Sequence, residues 1–275
     1  MPEGHTLFAL ARDLDAAYRG TQPTATSPQG RFAAGAALVD GRTFLHATSW
    51  GKHLFVEFEG DAWLHVHLGL IGTFTIDDRP YAGELPVVGQ VRLRLATQEH
   101  VADLRGPNLC AVITPDQVES VTSRLGPDPL RPEPDPDLAW RRISRSGKTI
   151  AELLMDQSVL AGIGNVYRSE VLFRQRVDPF RPGKELRRTT WDAIWLDLVE
   201  LLPLGVASGK IVTVAEQVEQ VRAAVAAGTQ GRLDERISYV YKRTGEPCRV
   251  CGSRIRTRVV AGRNLFWCGR CQRRR

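Results

Sequence analysis

The sequence lacks any apolar run near the ~20 residues that a bilayer-spanning helix needs. Its opening, Met1-Pro2-Glu3-Gly4-His5, has neither the basic stretch nor the apolar core of a secretory signal. Hydrophobic residues make up 43% and charged residues 25% of the chain, which excludes collagen-like, low-complexity and wholly disordered classes. We therefore expect a folded cytoplasmic protein that does not attach to a membrane.

Cysteine is scarce, and the sequence has no disulfide framework. Four of the five cysteines lie in the last 28 residues as two C-x2-C pairs separated by sixteen residues: Cys248, Cys251, Cys268 and Cys271. Two such knuckles on neighbouring turns direct four thiolates at one point, which is the ligand set of a closed, structural Zn²⁺ site. Two disulfides are the alternative. The remaining cysteine, Cys110, is interpreted as a small buried hydrophobe.

Acidic residues are almost absent from the C-terminal part. Residues 236–275 contain twelve Lys or Arg and a single acid, Glu246, for a net charge of +11 in a chain whose total is +6. The preceding 235 residues therefore sum to −5. A basic module on a mildly acidic body is typical of a protein that binds phosphates. A solvated basic tail is the alternative.

Between the two cysteine pairs, residues 253–260 alternate basic and apolar side chains, and a turn sequence follows. This pattern predicts a β-hairpin with one basic face and its turn near Gly262. The turn would bring Arg263 to the tip of the hairpin. There it would contact a phosphate or a DNA groove, or would simply be a solvated turn residue.

The length of 275 residues predicts about two domains. After Glu3, apolar residues recur at helical spacing, with Thr6 as a cap near the start. From about residue 32 to residue 114, short alternating runs predict the strands of a β-sandwich or barrel. The predicted strands are 44–50, 54–57, 63–68, 71–76, 91–95 and 109–113.

Proline is concentrated in residues 126–137, which we interpret as an interdomain linker. The following part is predicted to be helical near 138–145, 148–157, 165–176, 188–201 and 213–227. Gly162 and Gly164 precede one of these helices, with Asn165 as its cap, and could let the helix start approach an anion or form a tight interhelical turn.

The fold class is therefore predicted as α+β. The expected domains are an N-terminal β-sandwich with a leading helix (1–125), the linker (126–137), a helical domain (138–235) and a zinc hairpin (236–275).

Six motifs in order resemble the formamidopyrimidine-DNA glycosylase / endonuclease VIII family. They are Met1-Pro2-Glu3-Gly4, Gly51-Lys52-His53, His67-Leu68-Gly69, residues 125–130, the stretch 162–167 with Glu170, and Gly262-Arg263 before the last cysteine pair. The resemblance covers nearly the whole chain. It implies a β-sandwich, a helix–two-turns–helix domain and a zinc finger, with DNA in the cleft between domains. It also implies an enzyme that excises oxidised bases and cuts the strand at the abasic site.

The resemblance assigns catalysis to the N-terminus. Pro2 becomes the terminal residue when Met1 is removed, and its nitrogen attacks C1′ of the damaged nucleotide to form a Schiff base. An α-amino group has a reference pKa near 8, against roughly 10.4 for lysine, so more of it is the free amine at pH 7. Glu3 is the matching general acid and base.

Further roles follow from the same resemblance. Lys52 binds the phosphate beside the lesion and donates a proton during β-elimination. Arg263 clamps phosphate and serves δ-elimination, Asn165 contacts the same phosphate, and Glu170 of the same motif is grouped with the DNA-binding residues.

A base inside a duplex must be flipped out before it can be excised, and side chains must fill the gap. Leu70 matches the family's void-filling position, although ordinary core packing is the alternative. Arg105 aligns loosely with the family's intercalation loop, without the phenylalanine found there in the 8-oxoguanine branch.

Three departures favour the endonuclease VIII branch: Gly4-His5 in place of Leu-Pro, no Arg-Arg-Phe-Gly stretch, and no base-capping loop in residues 203–236. The predicted substrates are oxidised pyrimidines in DNA, and the expected partner is damaged DNA bound by a monomer, at the nucleoid. The same chemistry on 8-oxoguanine or formamidopyrimidine is one alternative. A damaged-DNA-binding scaffold with little catalysis is the second, and a zinc-ribbon protein acting on RNA is the third.

Overall fold

The computed structural model describes residues 2–78 and 86–273. The chain divides into two units, residues 1–124 and 125–275. Among the described residues, no helix is both long and apolar enough to cross a bilayer.

The first unit is a sandwich of two four-stranded antiparallel sheets, with strand orders β1-β6-β7-β5 and β2-β3-β4-β8. This confirms the predicted β-sandwich with a leading helix. Its elements are α1 (Gly4–Tyr18), β1 (Thr24–Thr26), α2 (Ala33–Val39), β2 (Phe44–Trp50), β3 (His53–Phe58), β4 (Ala62–His67), β5 (Thr73–Asp78), β6 (Val91–Ala96), β7 (His100–Arg105), β8 (Leu109–Ile113) and α3 (Pro115–Thr122).

The leading helix buries one apolar stripe in the sandwich core, which includes Leu7 and Leu14. It begins directly after Glu3, as predicted, but the predicted cap is wrong. Glu3 is the N-cap, with extended backbone, and the amide of Thr6 donates to the Glu3 carbonyl at 2.9 Å. Thr6 therefore lies in the first turn and does not cap the helix.

Strand β7 is absent from the predicted strands because its alternation is interrupted by a buried acid. Asp103 is 3% exposed and accepts hydrogen bonds from Arg94 and Arg105 on the same sheet. The sequence pattern predicts that a charged residue is exposed to solvent. The ion pairs of Asp103 offset the free-energy cost of burying its carboxylate. Strand β1 and helices α2 and α3 are also missing from the sequence-based prediction.

The second unit consists of helices followed by a β-hairpin, as predicted. Its elements are α4 (Pro136–Ile143), α5 (Ile150–Leu153), α6 (Asn165–Arg174), a 3₁₀ turn (Gly183–Glu185), α7 (Arg188–Ser208), α8 (Ala215–Ala226), β9 (Ile255–Val260) and β10 (Arg263–Cys268). Helix α5 is a single turn, shorter than expected. Helix α7 continues past Pro203 and ends at Ser208, with Gly209 as its C-cap in the left-handed conformation (φ 68°).

The first residues of the predicted linker are packed inside the second unit. Gly126 donates its amide to the Gln157 carbonyl (2.9 Å), and the Pro127 carbonyl accepts from the amide of Ala161 (3.1 Å). A Cβ at Gly126 would lie 2.4 Å from the carbonyl carbon of Val159. Residues 126–129 are all buried, so proline here rigidifies a docked segment and the linker interpretation is wrong for these four residues.

The hairpin shares its core with the helices. Ile255, Leu265 and Phe266 belong to the same apolar cluster as α6 and α7. A two-stranded hairpin buries too little apolar surface to be stable alone. The predicted division between 138–235 and 236–275 is therefore replaced by one unit.

Candidate functional site

Lys52 lies at a tight turn at one end of the sheet β2-β3-β4-β8. Trp50 pairs with His53 across the two-residue turn Gly51-Lys52. Gly51 has a φ of 59°, and glycine at the first position of such a turn is typical of type II′. Lys52 is half-buried there, and it lies in the gap between the predicted strands 44–50 and 54–57.

Two contacts determine the direction of α1 along β2. The Tyr18 ring stacks on Phe44 with centroids 5.8 Å apart, and a carboxylate oxygen of Asp15 accepts from the amide of Ala47 at 2.9 Å. Later residues of α1 therefore contact earlier residues of β2, and the helix runs antiparallel to the strand.

This direction brings the start of α1 to the end of the sheet that carries the turn. The helix extends about 16 Å from Asp15 back to Gly4, and the strand extends about 13 Å from Ala47 to Gly51. Pro2 and Glu3, which precede Gly4, therefore lie at the same end of the first unit as Lys52.

Glu3 is fully buried and Pro2 is half-buried. A carboxyl without solvent exposure exchanges protons with the groups that contact it, as a general acid or base must. The arrangement places a buried carboxyl next to Pro2, which is still partly accessible.

Three histidines cluster beside Lys52. The His53 Nδ1 and His65 Nε2 atoms lie 2.9 Å apart, and the His53 ring centroid lies 5.1 Å from the centroids of both His65 and His67. His65 also stacks on Phe55 at 4.7 Å. Two of them, His53 and His67, occur in the sequence motifs without an assigned role, and His65 occurs in none. The spacing of His65 and His67 by two places both on one face of a strand and could have indicated the cluster.

Burial lowers the pKa of His53 and of His65 to about 4, and neighbouring histidines add to the shift. Burial and the charge of Lys52 also lower the pKa of His67. The rings are therefore neutral at pH 7. The amide of Gly69 donates to Nδ1 of His67 at 3.1 Å, so the proton of that neutral ring is on Nε2, which is a hydrogen-bond donor.

We expect these histidines to make the first unit acid-sensitive. The folded pKa of about 4 lies below the unfolded value of 6.5, so the unfolded state binds more protons between these values. The contribution of the two neutral rings to the free energy of unfolding is complete above pH 6.5 and is lost as pH falls towards 4. For the pair, partly screened by solvent, the loss is about 3 kcal/mol.

Urea unfolding at pH 7.0, 6.0, 5.0 and 4.5 measures this slope in the wild type and in the double variant His53→Gln, His65→Gln. The difference in this slope between the two proteins isolates the contribution of the histidines, because both proteins contain the same titratable cysteines. Equal slopes would contradict the prediction.

Leu70 lies on an exposed loop and not in the core. Gly69 has a φ of 69°, and a Cβ there would lie 2.9 Å from the Asn108 Cβ. The amide of Gly72 closes the loop on the Leu68 carbonyl at 3.0 Å. Leu70 is 46% and Ile71 84% exposed. Two apolar side chains are thus presented to solvent beside His67, and only the first of them, Leu70, was predicted as a site residue.

The guanidinium of Arg105 contacts residues of its own sheet and Val88, which precedes β6. It donates to Asp103 at 2.8 Å, to the Val88 carbonyl at 3.0 Å and to the Thr75 hydroxyl at 3.3 Å. These partners hold it against the sheet, because a buried carboxylate needs its cation. The contact of Arg105 with DNA stays a prediction.

In the second unit, Asn165 is the first residue of α6, and Gly164 is the N-cap, so the predicted capping role of Asn165 is wrong. Its side-chain amide instead donates to the Asn264 carbonyl at 2.9 Å. Arg263 is exposed and pairs with Val260 across the turn 261–262. The structure thus brings Asn165 next to the strand that begins with Arg263.

The hairpin turn itself has the expected position. Ala261 and Gly262 have φ values of 51° and 70°, which is typical of a type I′ turn. On the adjoining strand, Arg256 and Arg258 are exposed. The hairpin therefore presents cationic side chains on both sides of its turn.

Glu170 is fully buried, and its position differs from the predicted contact with DNA. Its carboxylate accepts from the amides of Tyr239, Val240 and Tyr241, each at 2.8 Å, and from the Thr213 hydroxyl at 2.7 Å. These four donors use the acceptor capacity of a carboxylate. Glu170 therefore holds the segment that leads into the hairpin.

The four clustered cysteines suit a metal ion. Their sulfurs all lie within 4.8 Å of one another, with 3.9 Å between Cys248 and Cys271 and 3.5 Å between Cys251 and Cys268. Tetrahedral Zn²⁺ with Zn–S distances of about 2.3 Å needs sulfurs about 3.8 Å apart. All five cysteines are free thiols, so the disulfide alternative is excluded in this structure.

Three known domains match the sequence. Residues 1–108 match the formamidopyrimidine-DNA glycosylase N-terminal domain, residues 125–217 match the formamidopyrimidine-DNA glycosylase H2TH domain, and residues 245–274 match the zinc finger found in FPG and IleRS. Together they span most of the chain in the order that the sequence motifs predict.

Relatives are similar over nearly the full length. Endonuclease 8 1 of Mycobacterium tuberculosis is 49% identical over 274 residues, 99% of this chain and 100% of the relative. The formamidopyrimidine-DNA glycosylase of Thermus thermophilus is 33% identical, covering 86% of this chain and 85% of its own. The fold is similar to that of Lactococcus lactis Fpg in a complex with DNA containing an abasic site, with a TM-score of 0.80, 23% identity and coverage of 99% and 100%.

Proposed function

Because this chain belongs to the formamidopyrimidine-DNA glycosylase / endonuclease VIII family of DNA glycosylases, we propose that it is a bifunctional glycosylase and abasic-site lyase for oxidised pyrimidines. The predicted family resemblance is confirmed. The observation that carries the proposal is that Pro2, buried Glu3 and Lys52 lie at one end of the first unit. The substrate is a damaged nucleotide in DNA.

In the first step, the Pro2 nitrogen, freed by removal of Met1, forms a bond to C1′ of the damaged nucleotide. The bond from C1′ to the base breaks, and the base leaves with a proton. Glu3 donates a proton to O4′ as the sugar ring opens. The product is an iminium between Pro2 and C1′, and its positive charge makes the C2′ proton acidic.

Elimination then cuts the strand. Loss of the C2′ proton expels the 3′ phosphate, which Lys52 binds and to which it supplies a proton. Loss of the C4′ proton then expels the 5′ phosphate, a step assisted by Arg263 with Asn165 on the same phosphate. Water hydrolyses the remaining iminium and restores the Pro2 amine.

The remaining residues support DNA binding. We propose that Leu70, with Ile71, enters the gap left by the flipped nucleotide, and that the Nε2–H donor of His67 binds a backbone phosphate. One structural Zn²⁺ on the four cysteines holds the hairpin that carries Arg263. The protein acts on DNA as a monomer, in the cytoplasm at the nucleoid.

The pyrimidine preference is tested by single-turnover excision from duplexes that contain thymine glycol, 5-hydroxycytosine, or 8-oxoguanine opposite cytosine. We expect excision of the pyrimidine lesions to be at least ~10-fold faster, a difference of 1–2 kcal/mol in transition-state binding. Faster excision of 8-oxoguanine would overturn the substrate assignment but not the lyase chemistry.

The alternative of a binding scaffold makes a different prediction. A protein that only binds damaged DNA would retain an abasic-site oligonucleotide without cutting it. Incubation of the zinc-loaded protein, processed to Pro2, with such an oligonucleotide distinguishes the two. We expect products with phosphate at both ends of the gap, and an uncut strand would favour the scaffold.

A further inference from the structure

Helix α6 carries an arginine that is completely buried, Arg168. Its guanidinium donates to the Ala151 carbonyl at 3.3 Å, to the Val260 carbonyl at 3.3 Å and to the side-chain oxygen of Asn165. These acceptors belong to three separate elements: α5, the last residue of β9, and the start of α6. One side chain therefore connects the helices to the hairpin next to its turn.

The contact with Asn165 also determines how that amide is oriented. A guanidinium has no acceptor, so the Asn165 oxygen must face Arg168. The amide nitrogen then faces β10 and donates to the Asn264 carbonyl. Arg168 thus contacts Val260 directly and Asn264 through Asn165. These two residues flank the turn 261–262 and Arg263.

Burial of an arginine is costly unless its donors are satisfied. Apolar packing would fill the same space at lower cost, but it would not direct a carbonyl and an amide. The planar guanidinium binds several acceptors in set directions, which a lysine ammonium does not reproduce. The need to orient the hairpin tip explains why residue 168 is an arginine.

We propose that Arg168 is a positioning residue for Asn165 and Arg263, the pair that binds phosphate in the δ-elimination step. This inference rests on the proposed function, since it concerns that reaction. Arg168 is buried and acts through the two residues that it orients. Its loss leaves the Pro2, Glu3 and Lys52 end of the first unit unaltered and changes the second elimination most.

The same helix supplies a matched control. Arg174 is also largely buried, and it donates to the Asp197 carboxylate at 2.6 to 3.0 Å and to the Thr213 carbonyl at 2.6 Å. It lies at the opposite end of α6 from Asn165. Arg174→Met therefore removes a buried guanidinium of the same helix while leaving the contacts of Arg168 in place.

The experiment compares Arg168→Met, Arg168→Lys and Arg174→Met with the wild type on an abasic-site oligonucleotide. The rates of β- and δ-product formation are measured in one reaction, so the fraction of folded enzyme cancels in their ratio. We expect Arg168→Met to lower the δ-to-β ratio about 10-fold, Arg168→Lys to lower it less, and Arg174→Met to leave it unchanged.

The phosphate contact has a second readout, the salt dependence of binding to a tetrahydrofuran abasic-site analogue. Its slope should fall by about 1 in Arg168→Met, as expected when one phosphate contact is lost. Zinc content and circular dichroism identify variants that fold.

If Arg168→Met does not fold, Arg168→Lys decides the matter by the same two measurements. An unchanged ratio and slope in a folded Arg168 variant would overturn the proposal, as would an equal change in Arg174→Met. A wild-type protein that leaves the abasic strand uncut would instead overturn the proposed function, and with it the premise of this inference.

Discussion

A chain that keeps Met1 will form at least ~10³-fold less borohydride-trapped adduct with abasic DNA than the same chain processed to Pro2. In the unprocessed chain the Pro2 nitrogen is part of a peptide bond, and resonance with the carbonyl removes its nucleophilicity. In the processed chain it is a secondary amine with a reference pKa near 8. Intact mass separates the two forms before trapping.

Two controls accompany this experiment. Both forms should bind the tetrahydrofuran analogue with similar affinity, because that sugar has no aldehyde for the amine to attack. Adduct formation by the Met1-containing chain would contradict the assignment of Pro2 and direct attention to the other amines, the α-amine of Met1 and the side chain of Lys52.

Glu3→Gln separates the two chemical stages. Excision of a damaged base requires proton donation to the sugar ring as it opens, whereas an abasic sugar already exists partly as the open aldehyde. We expect this variant to lose base excision by on the order of 100-fold or more while it retains most trapping on abasic DNA. Equal losses on both substrates would contradict the acid role.

Removal of zinc is also expected to have a large effect. Chelation, or Cys251→Ser, should weaken binding to abasic-site DNA by on the order of 100-fold, with a salt slope lower by about 2. The hairpin carries Arg263 and depends on the thiolate cluster for closure, and structural zinc supplies about 10–16 kcal/mol to small zinc modules. Binding titrations at 50 to 200 mM salt measure both quantities.

Because Ile255, Leu265 and Phe266 pack in the core of the helical unit, we also expect the apoprotein to melt at a lower temperature. Cys110→Ser is the matched control. Cys110 lies in the first unit, and burial raises the pKa of its thiol to about 12. This variant should keep its zinc and its affinity. Apoprotein that binds DNA as the wild type does would contradict the proposed role of the metal.

Elements with local patterns were predictable from the sequence. Strands β2 and β8 and the start of α6 lie at the predicted residues, because alternation and glycine turns are features of neighbouring residues. Strand β7 was not predictable, since the burial of Asp103 depends on Arg94 and Arg105. The packed segment 126–129 was missed for a similar reason: its partners lie about thirty residues away.

The sequence by itself was enough to predict the cysteine cluster and the hairpin turn, because each is defined by spacing within a few tens of residues, whereas the roles of Pro2 and Glu3 were expected only from the family resemblance. Only the tertiary structure decided that α1 runs antiparallel to β2, and so that Pro2, Glu3 and Lys52 lie at one end of the sheet. It also decided the contacts of Glu170 and Arg168, whose partners are as far as 71 and 92 residues away. From sequence alone, a charged side chain is predicted to be exposed to solvent. Its actual contacts depend on the hydrogen-bond donors and acceptors that distant segments place around it.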